Sequence, residues 1–284
     1  MRTFFTISEL RDELKQIRKE GKTIGFVPTM GYLHEGHLSL LKRAKAENDV
    51  IIISIFVNPT QFGRGEDFDS YPNDLERDSI LVESVGADII FAPLVREMYP
   101  NGYSTFVDVE GTITQGLCGR QRPGHFKGVA TIVSKLFNII DPDAAYFGQK
   151  DAQQVCAIEQ MVKDMNFPVR IVTCPTVREA NGLALSSRNA YLNQKEREEA
   201  SVLSKSLQEA KRMVCLGERD ATNLKRVMTN LINTAEDARI EYIEIVNAKT
   251  LQSMETVKEE ILIALAVCFG KTRLIDNIRL DCKN

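Results

Sequence analysis

Apolar residues up to about residue 175 follow two alternating patterns. Some stretches have apolar positions three or four residues apart, as in residues 7–17, and others are continuous apolar runs, as in "DVIIISIFV" at residues 49–57. The first pattern predicts amphipathic helices, and the second predicts strands that are covered on both faces. Because the two alternate, we predict βαβ units in a parallel, doubly wound sheet.

The pattern changes after the last of these strands. A polar loop, "REANGLALSSRNAYL", leads into two helical patterns at residues 194–216 and 220–236. An alternating run follows, and then a strand pair with a turn at Gly270–Lys271. We therefore predict an α/β protein with a Rossmann-like doubly wound parallel sheet in residues 1–176 and a smaller C-terminal α+β domain in residues 177–284.

Composition argues against several classes of protein. The chain has 36 Lys and Arg residues against 39 Asp and Glu, and this net charge of −3 disfavours a large nucleic-acid interface. No run of about 18 uncharged apolar residues is present, so no membrane span is predicted. The amphipathic N-terminus is not predicted to be a secretory signal. The six cysteines form no C-x-x-C pair, which predicts reduced, mostly buried thiols in a cytoplasmic protein rather than a zinc site.

The least generic residues follow the predicted strands. The segments are "PTMGYLHEGH" at residues 28–37, "NPTQFGRGEDFDSYPND" at 58–74, "GQKDAQQ" at 148–154 and "PTVREANGLALSSRN" at 175–189. Ligands of open α/β sheets bind beyond the carboxyl ends of the strands. We therefore expect these four segments to converge on one crevice.

His34 and His37 are two of the three histidines in the chain. Their spacing puts them on one face of a helix near its start, where backbone N–H groups and the helix dipole favour phosphate. Gly36 lets a ligand approach the backbone, and the imidazoles could donate to phosphate oxygens. One alternative is a pair of solvated surface histidines. Zinc is a weaker alternative, because no third ligand is evident.

Charged and hydroxyl residues in the third and fourth segments also suit a nucleotide. Lys150 could neutralise phosphates, and Asp151 could bind a ribose hydroxyl or position magnesium. The alternative is a surface Lys–Asp pair. Ser186, Ser187 and Arg188 suit a triphosphate, although a capped turn explains their spacing equally well.

Gln61 and Gln154 each follow a strand end. Neutral amides both donate and accept, so these residues could hold a small hydroxy acid without forming an ion pair to its carboxylate. The third histidine lies in "RPGHF" at residues 122–126, which is either a flap over the crevice or a surface loop. Arg122 could reach phosphate, but its spacing does not decide between these alternatives.

Six motifs occur in one order over essentially the whole chain: "PTMG-x-LHEGH", "SIFVNP-x-QFG", "YP", "RPGHF-x-GV", "FG-x-KD-x-QQ" and "GLA-x-SSRN-x-YL". The first resembles the HIGH-type signature of the nucleotidyltransferase superfamily. The complete set resembles the pantothenate synthetase (pantoate–β-alanine ligase) family. "LSSRN" then stands where the superfamily has its KMSKS loop.

The resemblance implies a two-step reaction. The carboxylate of (R)-pantoate attacks the α-phosphate of Mg-ATP, forming pantoyl adenylate and releasing pyrophosphate. The amine of β-alanine then attacks the acyl carbon, giving pantothenate and AMP. The family acts in coenzyme A biosynthesis. It is typically a cytoplasmic homodimer that associates through the N-terminal domain, which binds the nucleotide and pantoate.

The resemblance also implies roles for individual residues. Those acting on the phosphates in catalysis are His37, His34, Lys150 and Arg188, with His37 as proton donor to the leaving group. The ATP-binding residues are Met30, Gly31, Tyr32, Leu33, His34, Glu35, Gly36, His37, Gly148, Gln149, Lys150, Asp151, Val177, Leu185, Ser186, Ser187 and Arg188. Gln61 and Gln154 hold pantoate or β-alanine. Asp78 is a candidate for the magnesium environment.

The chain departs from the family pattern at three positions. Gln149 replaces a glutamate, Ala152 an aromatic residue and Leu185 a methionine, which affects the expected nucleotide affinity rather than the reaction class. A cytidylyltransferase would share H-x-G-H without the paired glutamines, and a non-catalytic nucleotide-binding protein would not need both phosphate-binding segments. Because an acyl adenylate hydrolyses in water, we expect residues 177–284 to act as a lid that brings Arg188 inward.

Overall fold

The computed structural model describes residues 1–63 and 65–282. Its strands are β1 (Arg2–Phe4), β2 (Ile24–Thr29), β3 (Val50–Ile55), β4 (Ile89–Phe91), β5 (Ala144–Gly148), β6 (Arg170–Cys174), β7 (Ala238–Asn247), β8 (Glu260–Phe269) and β9 (Thr272–Asp281). Its helices are α1 (Ile7–Lys19), α2 (Glu35–Glu47), α3 (Leu75–Ser84), α4 (Val95–Met98), α5 (Thr112–Gln115), α6 (Leu117–Gln121), α7 (His125–Ile140), α8 (Ala152–Asp164), α9 (Gln194–Glu199), α10 (Val202–Cys215) and α11 (Ala221–Ile232). Short 3₁₀ turns cover Pro59–Gln61, Gln149–Asp151 and Ser187–Tyr191. No helix in these described ranges is long and apolar enough to cross a membrane.

The chain forms two compact units. The first unit consists of residues 1–109, 122–148 and 157–175, and the second of residues 110–121, 149–156 and 176–284. The sequence analysis placed segments 110–121 and 149–156 in the first domain. In the structure, Leu117 and Ala152 from these segments pack with Leu262 of β8, so apolar burial joins both segments to the C-terminal sheet. The division into functional domains at residues 1–176 and 177–284 stays a prediction.

The first unit contains a six-stranded sheet in the order β1-β4-β3-β2-β5-β6, and every pairing is parallel. On one face, Leu41 of α2 and Val82 of α3 pack with Ile53 of β3. On the other, Phe137 of α7 meets Phe26 of β2 edge-on, with ring centroids 6.4 Å apart. The predicted doubly wound parallel sheet is confirmed.

The order of the strands reverses between β2 and β5, which pair with each other at the centre of the sheet. β2 ends at Thr29 and β5 ends at Gly148, so the segments that begin at residues 28 and 148 start at neighbouring strand ends. Such a reversal is where open α/β sheets bind their ligands.

Three features of the first unit were not predicted, and one of them is the short helix α4. β1 pairs with β4 at the edge of the sheet, but its three residues are too few to show a period. Helix α7 begins at His125, after Gly124 in a left-handed conformation with a φ of 82°. The end of the "RPGHF" segment is therefore helical rather than a loop.

The second unit contains the antiparallel sheet β7-β8-β9, with the predicted turn between β8 and β9 at Gly270, where φ is 54°. Alternate residues of β8 face opposite sides. Leu265 packs with Leu207 of α10 and Leu224 of α11, whereas Ala264 packs on the side of α6 and α8. The predicted C-terminal α+β arrangement is confirmed, although the helix predicted at residues 194–216 is divided into α9 and α10.

All six cysteines are free thiols, as predicted. Four of them are buried, Cys156 is half-buried and Cys215 is exposed.

Candidate active site

The two predicted histidines lie at the start of α2. His34 is the N-cap, and its Nδ1 accepts a hydrogen bond from the backbone N–H of Gly36 at 3.1 Å. The Nδ1 of His37 accepts from the backbone N–H of His34 at 3.3 Å. The two rings lie 4.1 Å apart between centroids. The spacing in the sequence thus brings both imidazoles together on one helix turn.

These bonds determine which nitrogen of each imidazole carries the proton. A backbone N–H donates to each Nδ1, so Nδ1 is an acceptor and a neutral ring holds its proton on Nε2. Both rings therefore carry an N–H at the nitrogen remote from the helix backbone. A pair of N–H donors at a helix start is suited to phosphate oxygens.

Residues 28–37, called here the histidine loop, contain two left-handed residues in succession. Gly31 has a φ of 86° and Tyr32 a φ of 50°. A Cβ at Gly31 would lie 3.0 Å from Oδ2 of Asp78 and 3.0 Å from Ile55, so only glycine fits there without a shift. A left-handed tyrosine costs free energy and persists only where its surroundings hold it.

Asp78 of α3 holds the histidine loop in this conformation. Its Oδ2 accepts from the N–H of Tyr32 at 2.7 Å, and its Oδ1 accepts from the N–H of Leu33 at 2.8 Å. Arg77 donates to the carbonyl of Leu33 at 2.9 Å and lies over the Tyr32 ring. Two neighbouring residues of α3 therefore fix the backbone that precedes the histidines.

Asp78 is completely buried. Burial raises its pKa above the ordinary value, although the N–H groups of Leu33 and Tyr32 and the charge of Arg77 act in the opposite direction. Each carboxylate oxygen accepts one backbone N–H group, and the assignment of Asp78 to the magnesium environment stays a prediction.

Gln61 ends the 3₁₀ turn after β3, and its side chain is oriented by Asn58. Nδ2 of Asn58 donates to Oε1 of Gln61 at 3.0 Å, and Nε2 of Gln61 approaches Sδ of Met30 at 3.0 Å. The second segment therefore meets the histidine loop within the first unit. Because Oε1 of Gln61 accepts from Asn58, the orientation of the amide is fixed, and its Nε2 is the atom that can donate to a carboxylate.

Tyr99 extends this network. Its hydroxyl donates to Oδ1 of Asn58 at 2.7 Å. Burial raises the pKa of Tyr99 to about 12, so the hydroxyl remains protonated and a donor near neutral pH. The relay from Tyr99 through Asn58 to Gln61 was missed by the sequence analysis. The asparagine directly after a strand in "VNP-x-Q" was the available signal for Asn58, whereas the "YP" motif, which occurs at residues 71–72 and 99–100, did not show which tyrosine takes part.

Helix α7 supports the same turn by close backbone packing. A Cβ on Gly128 would lie 2.3 Å from the carbonyl oxygen of Thr60 and 2.6 Å from Cα of Gln61. The carbonyl of Gly128 also accepts from Nδ2 of Asn58 at 3.1 Å. Any side chain at position 128 would therefore displace the turn that carries Gln61.

The "RPGHF" segment is also tied to Gln61. Nδ1 of His125 donates to the carbonyl of Gln61 at 2.9 Å, and Nη2 of Arg122 donates to the same oxygen at 3.3 Å. Arg122 also forms a two-point ion pair with Glu66, at 2.7 and 2.5 Å. Burial opposes ionisation of Glu66, but the hydrogen bonds and charge of Arg122 lower its pKa overall. Arg122 is thus engaged within the first unit.

Two further predicted residues lie in the first unit: Glu35 is paired with Lys42 on α2, and Gly148 ends β5. The remaining predicted residues belong to the second unit. Residues 149–151, called here the lysine turn, precede α8. The Lys150 side chain is largely buried, and its Nζ lies 3.6 Å from Oδ1 of Asp151. The predicted Lys–Asp pair therefore exists, but it is not a freely solvated surface pair. Gln154 is half-buried in the first turn of α8.

The "LSSRN" segment forms a capped turn. Oγ of Ser186 accepts from the N–H of Arg188 at 3.3 Å, and Ser187 begins a 3₁₀ turn. The N–H of Leu185 donates to the carbonyl of Val177 at 3.0 Å, which joins the two ends of the fourth segment. Oδ1 of the buried Asn189 has no hydrogen-bond partner among the described residues. A buried acceptor of this kind is uncommon in native structures.

The fold and the histidine-capped helix at its strand-order reversal define an α/β protein of the nucleotide-binding class. A family model described as pantoate-β-alanine ligase matches residues 2–279, and the chain belongs to this family. The resemblance inferred from the motifs is therefore confirmed.

Relatives of known name agree with this assignment. The pantothenate synthetase of Acetivibrio thermocellus is 57% identical over 281 residues, covering 99% of this chain and 100% of the relative. That of Heliobacterium modesticaldum is 56% identical over 281 residues, covering 99% and 100%. A crystal structure of pantothenate synthetase from Thermus thermophilus matches with a TM-score of 0.94 at 45% identity, covering 98% of this chain and 99% of that one.

Proposed function

We propose that this chain catalyses the ATP-dependent condensation of (R)-pantoate with β-alanine, giving pantothenate, AMP and pyrophosphate through pantoyl adenylate. The observation that carries the proposal is the family match over residues 2–279. The pantoate-β-alanine ligase of Francisella tularensis was solved in complex with "Beta-gamma ATP" and β-alanine. It matches with a TM-score of 0.83 at 40% identity and covers 98% of this chain and 97% of that one. ATP and β-alanine are both substrates in the proposed reaction.

In the first step, a carboxylate oxygen of pantoate attacks the α-phosphorus of ATP, and the bond to pyrophosphate breaks. Negative charge on the phosphate oxygens is stabilised by donors already held in place. We assign this role to the Nε2 protons of His34 and His37 and to the cations of Lys150 and Arg188. The predicted role of His37 as proton donor becomes a hydrogen bond from its Nε2–H to the departing pyrophosphate, because a neutral ring whose Nδ1 accepts from the N–H of His34 would become an imidazolate on losing that proton. The other residues that the sequence analysis assigned to ATP binding are also assigned to ATP in this proposal.

Gln61 and Gln154 hold pantoate in this proposal. A neutral amide donates to a carboxylate without the full positive charge that would withdraw electron density from the attacking oxygen. The relay from Tyr99 through Asn58 supports the assignment of Gln61, because it engages the amide oxygen and presents the N–H groups.

In the second step, the amine nitrogen of β-alanine attacks the acyl carbon of pantoyl adenylate. A C–N bond forms, the acyl–phosphate C–O bond breaks, AMP leaves, and the amine loses a proton. Water must be excluded while the adenylate exists. The lid role of residues 177–284 provides this exclusion in our proposal. Addition of ATP should therefore protect the chain against limited proteolysis, and unchanged cleavage would contradict the lid.

Magnesium enters the proposal with ATP rather than as a resident ion. The described residues contain no group of three His, Cys, Asp or Glu side chains that could hold a metal. The candidate carboxylates are Asp78, which also holds the histidine loop, and Asp151, which lies beside the predicted phosphate site. This donor set fits Mg²⁺, which usually keeps several waters and binds through substrate phosphates with one or two carboxylates. A cytoplasmic location and a homodimer formed through the N-terminal domain complete the proposal.

Isotope exchange between pyrophosphate and ATP tests the proposed function. We expect exchange that requires pantoate and does not require β-alanine, because only the first step is needed. Exchange with CTP and a phosphorylated alcohol, but not with ATP and pantoate, would favour a cytidylyltransferase. Nucleotide binding without any exchange would favour a non-catalytic protein.

A further inference from the structure

Two adjacent residues of β9, Asp276 and Asn277, are both buried polar side chains in the second unit, with 2% and 5% of their surface exposed. Neither was singled out by the sequence motifs. Buried polar side chains require partners, and the identity of those partners shows what the side chains hold in place.

Asn277 holds the lysine turn. Its Nδ2 donates to the carbonyl of Gln149 at 3.0 Å and to the carbonyl of Lys150 at 2.8 Å. Its Oδ1 accepts from Nε2 of Gln149 at 3.0 Å. Every hydrogen-bonding atom of this side chain is therefore directed at two consecutive residues of one turn.

These contacts also orient the opposite side of the turn. In a trans peptide the carbonyl and the following N–H point in opposite directions, and the described residues include no cis peptide. Because Asn277 binds the carbonyls of Gln149 and Lys150, the N–H groups of Lys150 and Asp151 point away from it. They precede α8, so they resemble the N–H groups that bind anions at helix starts.

Asp276 holds the fourth segment. Its carboxylate forms a two-point ion pair with Arg178, with Nη1 at 2.6 Å from Oδ2 and Nη2 at 2.9 Å from Oδ1. Arg178 forms a β-bridge to Ala184, and its Nη1 also donates to the carbonyl of Gly182 at 3.1 Å. The loop that leads into "LSSRN" is therefore anchored at its base to β9.

The two side chains leave β9 on opposite faces of the sheet. Asp276 pairs with Leu265, which packs with α10 and α11, whereas Asn277 pairs with Ala264, which packs on the side of α6 and α8. Successive residues of a strand always alternate in this way. One dipeptide can therefore hold two segments on opposite faces of the same strand.

We propose that Asn277 and Asp276 are positioning residues that set the placement of Lys150 relative to the Ser186–Arg188 turn for binding of the ATP phosphates. The proposal rests on the proposed function, which assigns Lys150 and Arg188 to those phosphates. It also gives Gln149 a structural partner. Its amide donates to Oδ1 of Asn277, which an ionised glutamate at this position could not do.

The test is pyrophosphate exchange measured over a range of ATP and pantoate concentrations. Because displaced catalytic groups typically cost about 10–100-fold, we expect Asn277→Ala to lower kcat/KM for ATP by that factor. The KM for pantoate should stay within about twofold, since the lysine turn is assigned to the nucleotide alone. Arg279→Ala is the matched control, because Arg279 lies on β9 like Asn277 but forms a surface ion pair with Glu260 of β8. This variant should leave kcat/KM for ATP and the KM for pantoate unchanged.

A double-mutant cycle separates positioning from general stability. Adding Asn277→Ala to Lys150→Ala should cause little further loss of exchange, because Asn277 acts through Lys150. Equal losses in both backgrounds, or equal changes in the constants for ATP and pantoate, would overturn the proposal. If Asn277→Ala does not fold, Asn277→Ser retains one donor and is measured instead, with the same split expected.

The outcomes distinguish this inference from the proposed function. If the unmodified chain shows no pantoate-dependent exchange, the proposed function is wrong. If it shows exchange that falls with Lys150→Ala but not with Asn277→Ala or Asn277→Ser, the function stands and the positioning role is wrong. Exchange unaffected by Lys150→Ala would also overturn the positioning role, since there would be no placement for Asn277 to control.

Discussion

The histidine loop and the lysine turn are both assigned to ATP, yet they are held in opposite ways. In the first unit, the buried carboxylate of Asp78 accepts from the backbone N–H groups of Tyr32 and Leu33. In the second, the buried amide of Asn277 donates to the backbone carbonyls of Gln149 and Lys150. One loop is organised around an anion and the other around a neutral group.

This difference has a physical consequence for each segment. The histidine loop needs a carboxylate because one side chain must accept hydrogen bonds from two backbone N–H groups at once. These bonds also support the left-handed conformations of Gly31 and Tyr32. The neutral amide beneath the lysine turn adds no charge close to Lys150. In both cases the side chain that holds the backbone is distinct from those assigned to the chemistry, so support and catalysis can be separated by mutation.

The largest expected effect comes from removing a catalytic group of either segment. His37→Ala and Lys150→Ala should each slow adenylate formation by about 10²–10³, equivalent to about 2.7–4 kcal/mol, because each removes a donor to the transition state. Single-turnover formation of pantoyl adenylate measures this, with unchanged melting temperatures as the control. A near-normal rate for His37→Ala would show that the histidine loop does not act in the chemical step.

The next effect tests the anionic support. Asp78→Asn replaces one acceptor by an NH₂ group that faces a backbone N–H, leaving a buried donor unpaired. We expect a loss of about 1–3 kcal/mol in the free energy of unfolding, and about a 10–100-fold loss in adenylation as the loop shifts. Urea unfolding and single-turnover rates measure the two. Asp74→Asn, at the N-cap of the same helix, is a control for the helix alone. Wild-type adenylation in Asp78→Asn would contradict the role given to this carboxylate.

A smaller effect tests the relay to Gln61. Tyr99→Phe removes the donor to Asn58, so the amides of Asn58 and Gln61 lose one constraint on their orientation. One such hydrogen bond contributes about 0.5–1.5 kcal/mol, so the KM for pantoate should rise about 2–10-fold while that for ATP stays constant. Tyr103→Phe removes the hydroxyl of the neighbouring ring and serves as the matched control. Equal behaviour of the two variants would remove Tyr99 from the site.

The smallest effect concerns pH. The pKa of Glu66 is lowered in the folded chain by Arg122 against the opposing effect of burial, so ionised Glu66 stabilises the fold. That contribution is complete above the ordinary pKa of 4.5 and is lost as pH falls below it through the folded-state pKa. Urea unfolding of Glu66→Gln should therefore show a shallower loss of stability with acid than the unmodified chain. Parallel curves for the two proteins would contradict the stabilising role of the ion pair. Asn277 carries no titratable group, so Asn277→Ala should leave the pH dependence of stability unchanged.

Local patterns in the chain predicted the longer helices, the strands other than β1, and the motifs. The helical spacing of residues 7–17 and the apolar run of β3 predicted elements that the structure contains. The H-x-x-H spacing placed His34 and His37 together at a helix start. Each of these depends on residues a few positions apart, because helix and strand periods are properties of the local backbone.

The supports of the site depend on distant residues and have no local period. Asp78 lies 46 residues from Tyr32, and Asn277 lies 127 residues from Lys150. The resemblance implied Asp78 as a magnesium candidate, and the residue type alone could not show that its carboxylate accepts from the N–H groups of Tyr32 and Leu33. The residue order thus predicted which side chains are available for the chemistry. Chain folding decided which of them support the loops, since strand order and side-chain partners are set by long-range packing and by the need to pair buried polar groups.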